Sequence, residues 1–224
     1  SQYKYERIDL DTFKKKSKNI LKQFNSVNSV EEQINLIKDL EKIIAEWSTY
    51  ASIASLEYSR NTFSEKNKQE NEYYDNIDPD LKEISIQYAD ALLQSPFRKK
   101  LEAKYGDHIF NLKEVEKKTF DSKIKDLLRK ESDLCNKYSE LIASAKINFD
   151  GETYNLTGLG LFHTDPSRQI RKKSYEARFK FFEQNSNKLD KIYDDLIKVR
   201  TKIAHKLGYE NYVELGYNKL SRTD

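Results

Sequence analysis

Glycine and proline are scarce in this sequence, with 6 and 3 copies in 224 residues. So few breakers leave little room for the many tight turns of an all-β fold, and a helical chain is expected. A single cysteine, Cys135, excludes an intramolecular disulfide and fits a reducing compartment. It falls in an apolar helical stripe, where a buried, inert thiol is expected. Ser1 to Leu10 holds no apolar h-region and no run approaches the length of a membrane span. The protein therefore reads as soluble and cytoplasmic, with no membrane partner. Asn155-Leu156-Thr157 matches the glycosylation pattern, but without a secretion signal it reads as a chance match.

Hydrophobic residues make up 37% and charged residues 34%, a balance that would suit disorder if aromatics were rare. They are not: 15 Tyr, 11 Phe and one Trp give 12% aromatic content, enough to build a core. The formal charge is +3. The main basic runs, Lys14-Lys15-Lys16 and Arg171-Lys172-Lys173, lie in helical patterns beside acids and read as solvated faces. No nucleic-acid partner is expected.

Periodicity places a first helix over Asp9 to Phe24. Ser29 and Glu32 form a capping box ahead of a long helix with a stripe at Ile34, Ile37, Leu40, Ile44, Trp47, Ala51, Ala54 and Tyr58. Ser64 to Ile77 reads as an acidic, Tyr-bearing helix, and Asp78-Pro79 as the start of another. Ser95-Pro96 opens a short helix that Gly106 ends. One further long helix is expected from about Leu112, with a stripe from Ile124 to Ala145. Ile147 and Phe149 then alternate with polar residues up to Asp150-Gly151, the strongest short-range hairpin signal. Gly158 and Gly160 suggest a flexible loop through His163. Asp165-Pro166 opens the next helix, and after Asn185-Ser186-Asn187 a last long helix carries Leu189, Ile192, Leu196, Ile203 and Leu207 up to Gly208. The expected fold class is mainly α, a multi-helix domain with long antiparallel helices and one short β-hairpin near Asp150-Gly151.

Recognisable chemistry is missing. His108, His163 and His205 are isolated, with neither a His-Glu-x-x-His motif nor ligand-like spacing. No phosphate-cradling glycine loop and no Gly-x-Ser-x-Gly elbow occurs. Acidic pairs such as Glu31-Glu32 and Asp194-Asp195 fall on helices, where solvated faces are the ordinary reading.

The last third adds a family resemblance. Phe149-Asp150-Gly151-Glu152, the helix from Arg168 to Tyr175, the stretch Leu189 to Arg200 and the stretch Ile203 to Tyr217 occur in the order of the oligoendopeptidase F family. Tyr217 to Asp224 resembles the segment that leads into the rest of that peptidase. The likeness is strong from about Leu141 and compatible earlier, as at Leu92-Leu93-Gln94-Ser95-Pro96-Phe97-Arg98. It implies a zinc-dependent enzyme that hydrolyses short peptides in a deep cleft. Zinc would be held by the two histidines of a His-Glu-x-x-His helix and a downstream glutamate, with the motif's glutamate activating the bound water.

Those residues would lie beyond Asp224, so the expected catalytic, metal and substrate-binding residues within this chain are none. Residues 1–110 would form an amino-terminal helical domain. Residues 111–224, with the hairpin, would begin the peptidase lobe and part of the cleft wall. The partners implied are short peptides and the missing carboxy-terminal catalytic part, and the piece alone is expected to be inactive and to self-associate. The alternative is a stand-alone helical interaction module without catalytic activity.

Overall fold

The computed structural model describes residues 5–223. Among these residues are ten α-helices, two 3-10 turns and a two-stranded antiparallel sheet, as the mainly helical reading expects. The chain forms two compact units. One holds the described residues up to Arg129 together with those from Lys202 onward, and the other is Lys130–Thr201.

The first unit opens with α1 (Leu10–Phe24), α2 (Val30–Arg60) and α3 (Glu65–Leu93). Each starts where a short polar side chain satisfies an orphan amide. Asp9 accepts from Thr12 N at 2.8 Å, Ser29 from Glu32 N at 3.2 Å and Ser64 from Asn67 N at 3.3 Å. The Ser29 hydroxyl also donates to the Glu32 carboxylate at 3.0 Å. Glu57 of α2 pairs with Asn67, Trp47 with Tyr74, and Gln33 with Ser95 just past the end of α3, so α2 and α3 run antiparallel. Trp47, 2% exposed, anchors the core, with Phe13 of α1 at 4.7 Å and Tyr74 of α3 at 5.7 Å between ring centroids.

One buried polar link joins three segments of this unit. Gln33 Nε2 donates to the Phe24 carbonyl at 3.0 Å, and its Oε1 accepts from Ser95 Oγ at 2.6 Å. The Ser95 oxygen accepts in turn from Phe97 N at 3.0 Å. Gln33→Leu would keep the bulk and leave a carbonyl and a hydroxyl without their partner. We expect a loss of about 1–3 kcal/mol, read as a lower urea midpoint at unchanged slope.

Two expectations fail here. Asp78-Pro79 does not begin a helix, because α3 runs straight through Pro79. The ring forfeits one helical donor, but Pro79 is fully buried and Tyr74, Ile77, Ile84 and Tyr88 carry one apolar stripe across it. The single helix expected from Leu112 is broken. After α4 (Arg98–Tyr105), α5 (His108–Lys117) ends, and α6 (Lys125–Ala143) begins after a 3-10 turn at Ser122–Ile124. Local bonds compete with the helix at this point: Thr119 Oγ1 donates to the Glu116 carbonyl, and Asp121 accepts from Lys123 N.

In the second unit β1 (Ile147–Phe149) pairs with β2 (Glu152–Tyr154), with Asn148 opposite Thr153. Asp150 and Gly151 hold φ of 50° and 83°, the two positive values that a type I′ turn requires. The region read as a flexible loop is helical instead: α7 (Leu156–Leu159) leads into a 3-10 turn at Gly160–Thr164. Asn155 accepts from Gly158 N at 2.7 Å, and Leu156 and Leu159 are buried, which together outweigh the freedom of the two glycines. Phe162 packs against Phe149 and Tyr154 at 4.8 and 5.2 Å.

Next comes α8 (Arg168–Gln184), which starts slightly later than Asp165-Pro166 suggests because Asp165 first turns the chain by accepting from Ser167 N. Cys135 on α6 is exposed rather than buried. Its neighbour Leu134 is 5% exposed, and adjacent helical residues point about 100° apart, so one of them faces the core. The last long helix, α9 (Ser186–Lys206), returns the chain to the first unit, where Gly208 at φ 90° ends it and α10 (Tyr212–Lys219) follows.

Candidate functional site

The most densely built polar site lies in the first unit, around Asp80 of α3. Its side chain is 11% exposed and receives Lys14 of α1 at 2.7 Å. Lys125 and Arg129, from the start of α6, approach at 3.1 and 3.3 Å. Lys125 also reaches Glu83 at 2.8 Å, and Arg129 donates to the Asn76 carbonyl. Burial alone would raise the Asp80 pKa, but hydrogen bonds from Lys14 and Lys125 and their charges outweigh it and hold the carboxyl below its ordinary range.

A second cluster ties the segment ahead of α1 to α3. Arg7 grips Glu70 in a fork at 2.6 and 3.0 Å, and Tyr5 donates to the same carboxylate. The Arg7 bonds lower the Glu70 pKa against the opposing effect of burial, while burial first and the bond to Glu70 second raise that of Tyr5. Tyr73 donates to the Ile8 carbonyl at 2.6 Å, and the Tyr74 hydroxyl accepts from Ile8 N. In both clusters the carboxylates are already committed to cations. Neither has the form of a general base or nucleophile poised for a substrate; both fix helices in place.

Three open grooves mark the first unit. One, of about 500 Å³, lies between α2 and α3 and is lined by Trp47, Ser55, Leu56, Asn71, Asp75 and Asp78 among others. A second, of about 440 Å³, includes Lys18, Lys22, Gln87 and Asp90. The third, of about 510 Å³, follows α10 at Asn211, Val213, Glu214, Tyr217, Asn218 and Arg222. None joins a nucleophile, a base and an oxyanion donor.

The histidines are dispersed. His108 begins α5, and His205 Nε2 lies 2.9 Å from the Glu210 carbonyl near the end of α9. His163 stacks on Tyr175, ring centroids 4.1 Å apart at 9°. Among the described residues no group of three or more His, Cys, Asp or Glu could hold a metal ion. These residues do not fit the donor set that zinc requires. No described helix is long and apolar enough to cross a membrane.

Comparison with known proteins gives this scaffold its context. A family model described as the peptidase M3 N-terminal domain matches residues 1–120. The solved structure of PZ peptidase A with inhibitor 2 is 41% identical over the whole of this chain, with a TM-score of 0.96. A putative oligoendopeptidase F from Bacillus anthracis str. Ames is 38% identical over the whole chain, also at 0.96. The chain spans about 40% of the length of these relatives, 40% and 41% respectively. Oligoendopeptidase-F from Enterococcus faecium, at 14% identity and a TM-score of 0.62, shares the fold alone. A search of curated proteins found no match. With its family model covering more than half of its residues and two solved peptidases superposing along its whole length, the chain belongs to the peptidase M3 family, with residues 1–120 matching the N-terminal domain.

Proposed function

We propose that this chain is the amino-terminal portion of a zinc-dependent oligoendopeptidase that hydrolyses short peptides in the cytoplasm, and that it builds part of the substrate-cleft wall. The observation that carries the reading is the match of the whole chain to 40% of PZ peptidase A at 41% identity. Residues 1–110 act as the amino-terminal helical domain, a boundary near the end of the family match at residue 120. Residues 111–224 begin the peptidase lobe. Zinc, which polarises the scissile carbonyl and activates water in such enzymes, would be held by residues outside this chain. The described residues contribute scaffold, fixed by the Asp80 and Glu70 clusters, and no proton transfer is assigned to them.

As a separate piece, the 224-residue chain is expected to cleave no fluorogenic oligopeptide, to retain no equimolar zinc after dialysis, and to self-associate. A longer polypeptide that continues through a His-Glu-x-x-His helix is expected to gain chelator-sensitive cleavage and one zinc per chain. Equimolar zinc and chelator-sensitive cleavage by the 224 residues alone would overturn the reading.

A further inference from the structure

Lys14, Lys18 and Lys22 stand four residues apart on α1 and so share one face of the helix. Lys14 reaches Asp80 at 2.7 Å. Among the described residues Lys18 and Lys22 reach no carboxylate, and both are exposed where they line the groove of about 440 Å³ between α1 and α3. The facing wall is the end of α3, at Gln87, Asp90, Ala91 and Gln94. Asp90 is the one carboxylate in this lining, and it already pairs with Lys117 of α5. The base is rigid: Gln33 and Ser95, 1% and 8% exposed, bond to each other at 2.6 Å. Both helices end beside the groove, and free carbonyls at a helix end repel anions. Here the carbonyls of Leu21, Gln23, Phe24, Asp90 and Leu92 already accept from Asn25 N, Ser26 N, Gln33 Nε2, Gln94 N and Ser95 N. The two ammonium groups are left to set the sign of the groove.

We propose that this groove docks a short, extended, acidic stretch of peptide. Lys18 and Lys22 supply charge for its carboxylates, and Leu21, Ala91 and Pro96 supply apolar contact for a side chain. Asn25, Gln87 and Gln94 favour a peptide over a bare phosphate. A carboxamide offers donor and acceptor together and so matches the N–H and C=O of a peptide unit, whereas the oxygens of a phosphate are chiefly acceptors. Lys18 to Asn25 and Gln87 to Gln94 each run about 10 Å along their helices, at ~1.5 Å per residue. That length accommodates about three extended residues at ~3.3 Å each. A contact of this extent makes a weak, salt-sensitive encounter. The zinc chemistry proposed above plays no part in it.

The test measures binding to the full-length protein by fluorescence anisotropy. The probes are a labelled Glu-Leu-Glu-Leu-Glu peptide and its Gln-Leu-Gln-Leu-Gln counterpart, each shown intact by mass spectrometry afterwards. The Glu peptide is expected to bind at least about tenfold more tightly, with the preference shrinking as salt rises. Lys18→Gln with Lys22→Gln is expected to abolish that preference. Lys15→Gln with Lys16→Gln removes the same net charge from exposed positions of α1 outside the groove lining, and is expected to keep it. Asp90→Asn acts in the opposite sense: it takes the anion out of the lining and releases Lys117, and is expected to tighten binding of the Glu peptide about threefold or more. The proposal is overturned if the two peptides bind alike, if both lysine pairs weaken binding equally, or if Asp90→Asn fails to tighten it. Displacement of the Glu peptide by an equal concentration of inorganic phosphate overturns it as well, since the groove would then be an oxyanion site. A full-length protein that cleaves no peptide would sink the proposed function and leave these binding outcomes standing on their own.

Discussion

Alanine at Trp47 is expected to lower the stability of the first unit by about 3–5 kcal/mol, the largest effect of any single substitution considered. Trp47 is the only tryptophan and one of the largest fully buried side chains. It touches α1 through Phe13 and α3 through Tyr74, so its removal opens a void where three helices meet. The neighbouring groove, lined in part by Trp47 itself, offers no side chain to refill that void without moving a helix. Loss of helical circular dichroism in guanidinium measures the effect, since the variant has no tryptophan fluorescence. Leu56→Ala on the same helix, at a side chain 66% exposed, is expected to stay within about 0.5 kcal/mol. Similar losses at both positions would show that Trp47 is not the anchor the ring contacts imply.

Asp80→Asn should cost about 2–4 kcal/mol at neutral pH. It leaves Lys14, Lys125 and Arg129 gathered around a neutral amide. The full penalty of a broken buried pair is reduced because Lys14 and Arg129 keep side-chain exposures of 30% and 31%. The acid limb provides the sharper test. The folded-state pKa of Asp80 is depressed, so its stabilisation is present above the unfolded value of about 3.9 and is lost as the pH falls through the folded one. Glu70 adds to the loss in the same acidic window, for the same sign of shift. The native protein should therefore lose stability steeply below about pH 4, and the Asp80→Asn variant less steeply. Unfolding free energies from denaturant titrations at pH 7 and pH 3 provide the comparison. Parallel pH profiles for the two proteins would remove Asp80 from the account.

What could be read from the residues alone was whatever is decided locally. Asp9, Ser29 and Ser64 announce helix starts because the capping bond spans three residues, and Asp150-Gly151 announces its turn because both φ values must be positive. Pro79 misleads because packing settles it, holding it inside α3 by burial, and the break near Phe120 rests on side-chain bonds at Thr119 and Asp121 that an apolar periodicity does not register. Cys135 was misplaced because a stripe containing both Leu134 and Cys135 does not say which of two adjacent residues faces inward. The candidate site was the least legible part. The Asp80 cluster gathers residues 14, 80, 125 and 129, and no motif links separations that long. The family came from the order of segments in the last third, whereas the matching family model covers residues 1–120.

The excursion of the chain through Lys130–Thr201 also imposes an order of events during synthesis. The first unit is left open at Arg129 and is finished only by residues from Lys202 onward. Lys206 then donates to the Lys123 carbonyl at 3.1 Å, Tyr209 to that of Lys118 at 2.9 Å, and Leu215 of α10 becomes fully buried. At about 5–20 residues per second, a ribosome needs on the order of 4–14 s to cross the intervening stretch. Throughout that interval the nascent amino-terminal helices lack their closing strap, although α1, α2 and α3 already hold most of the residues of their core.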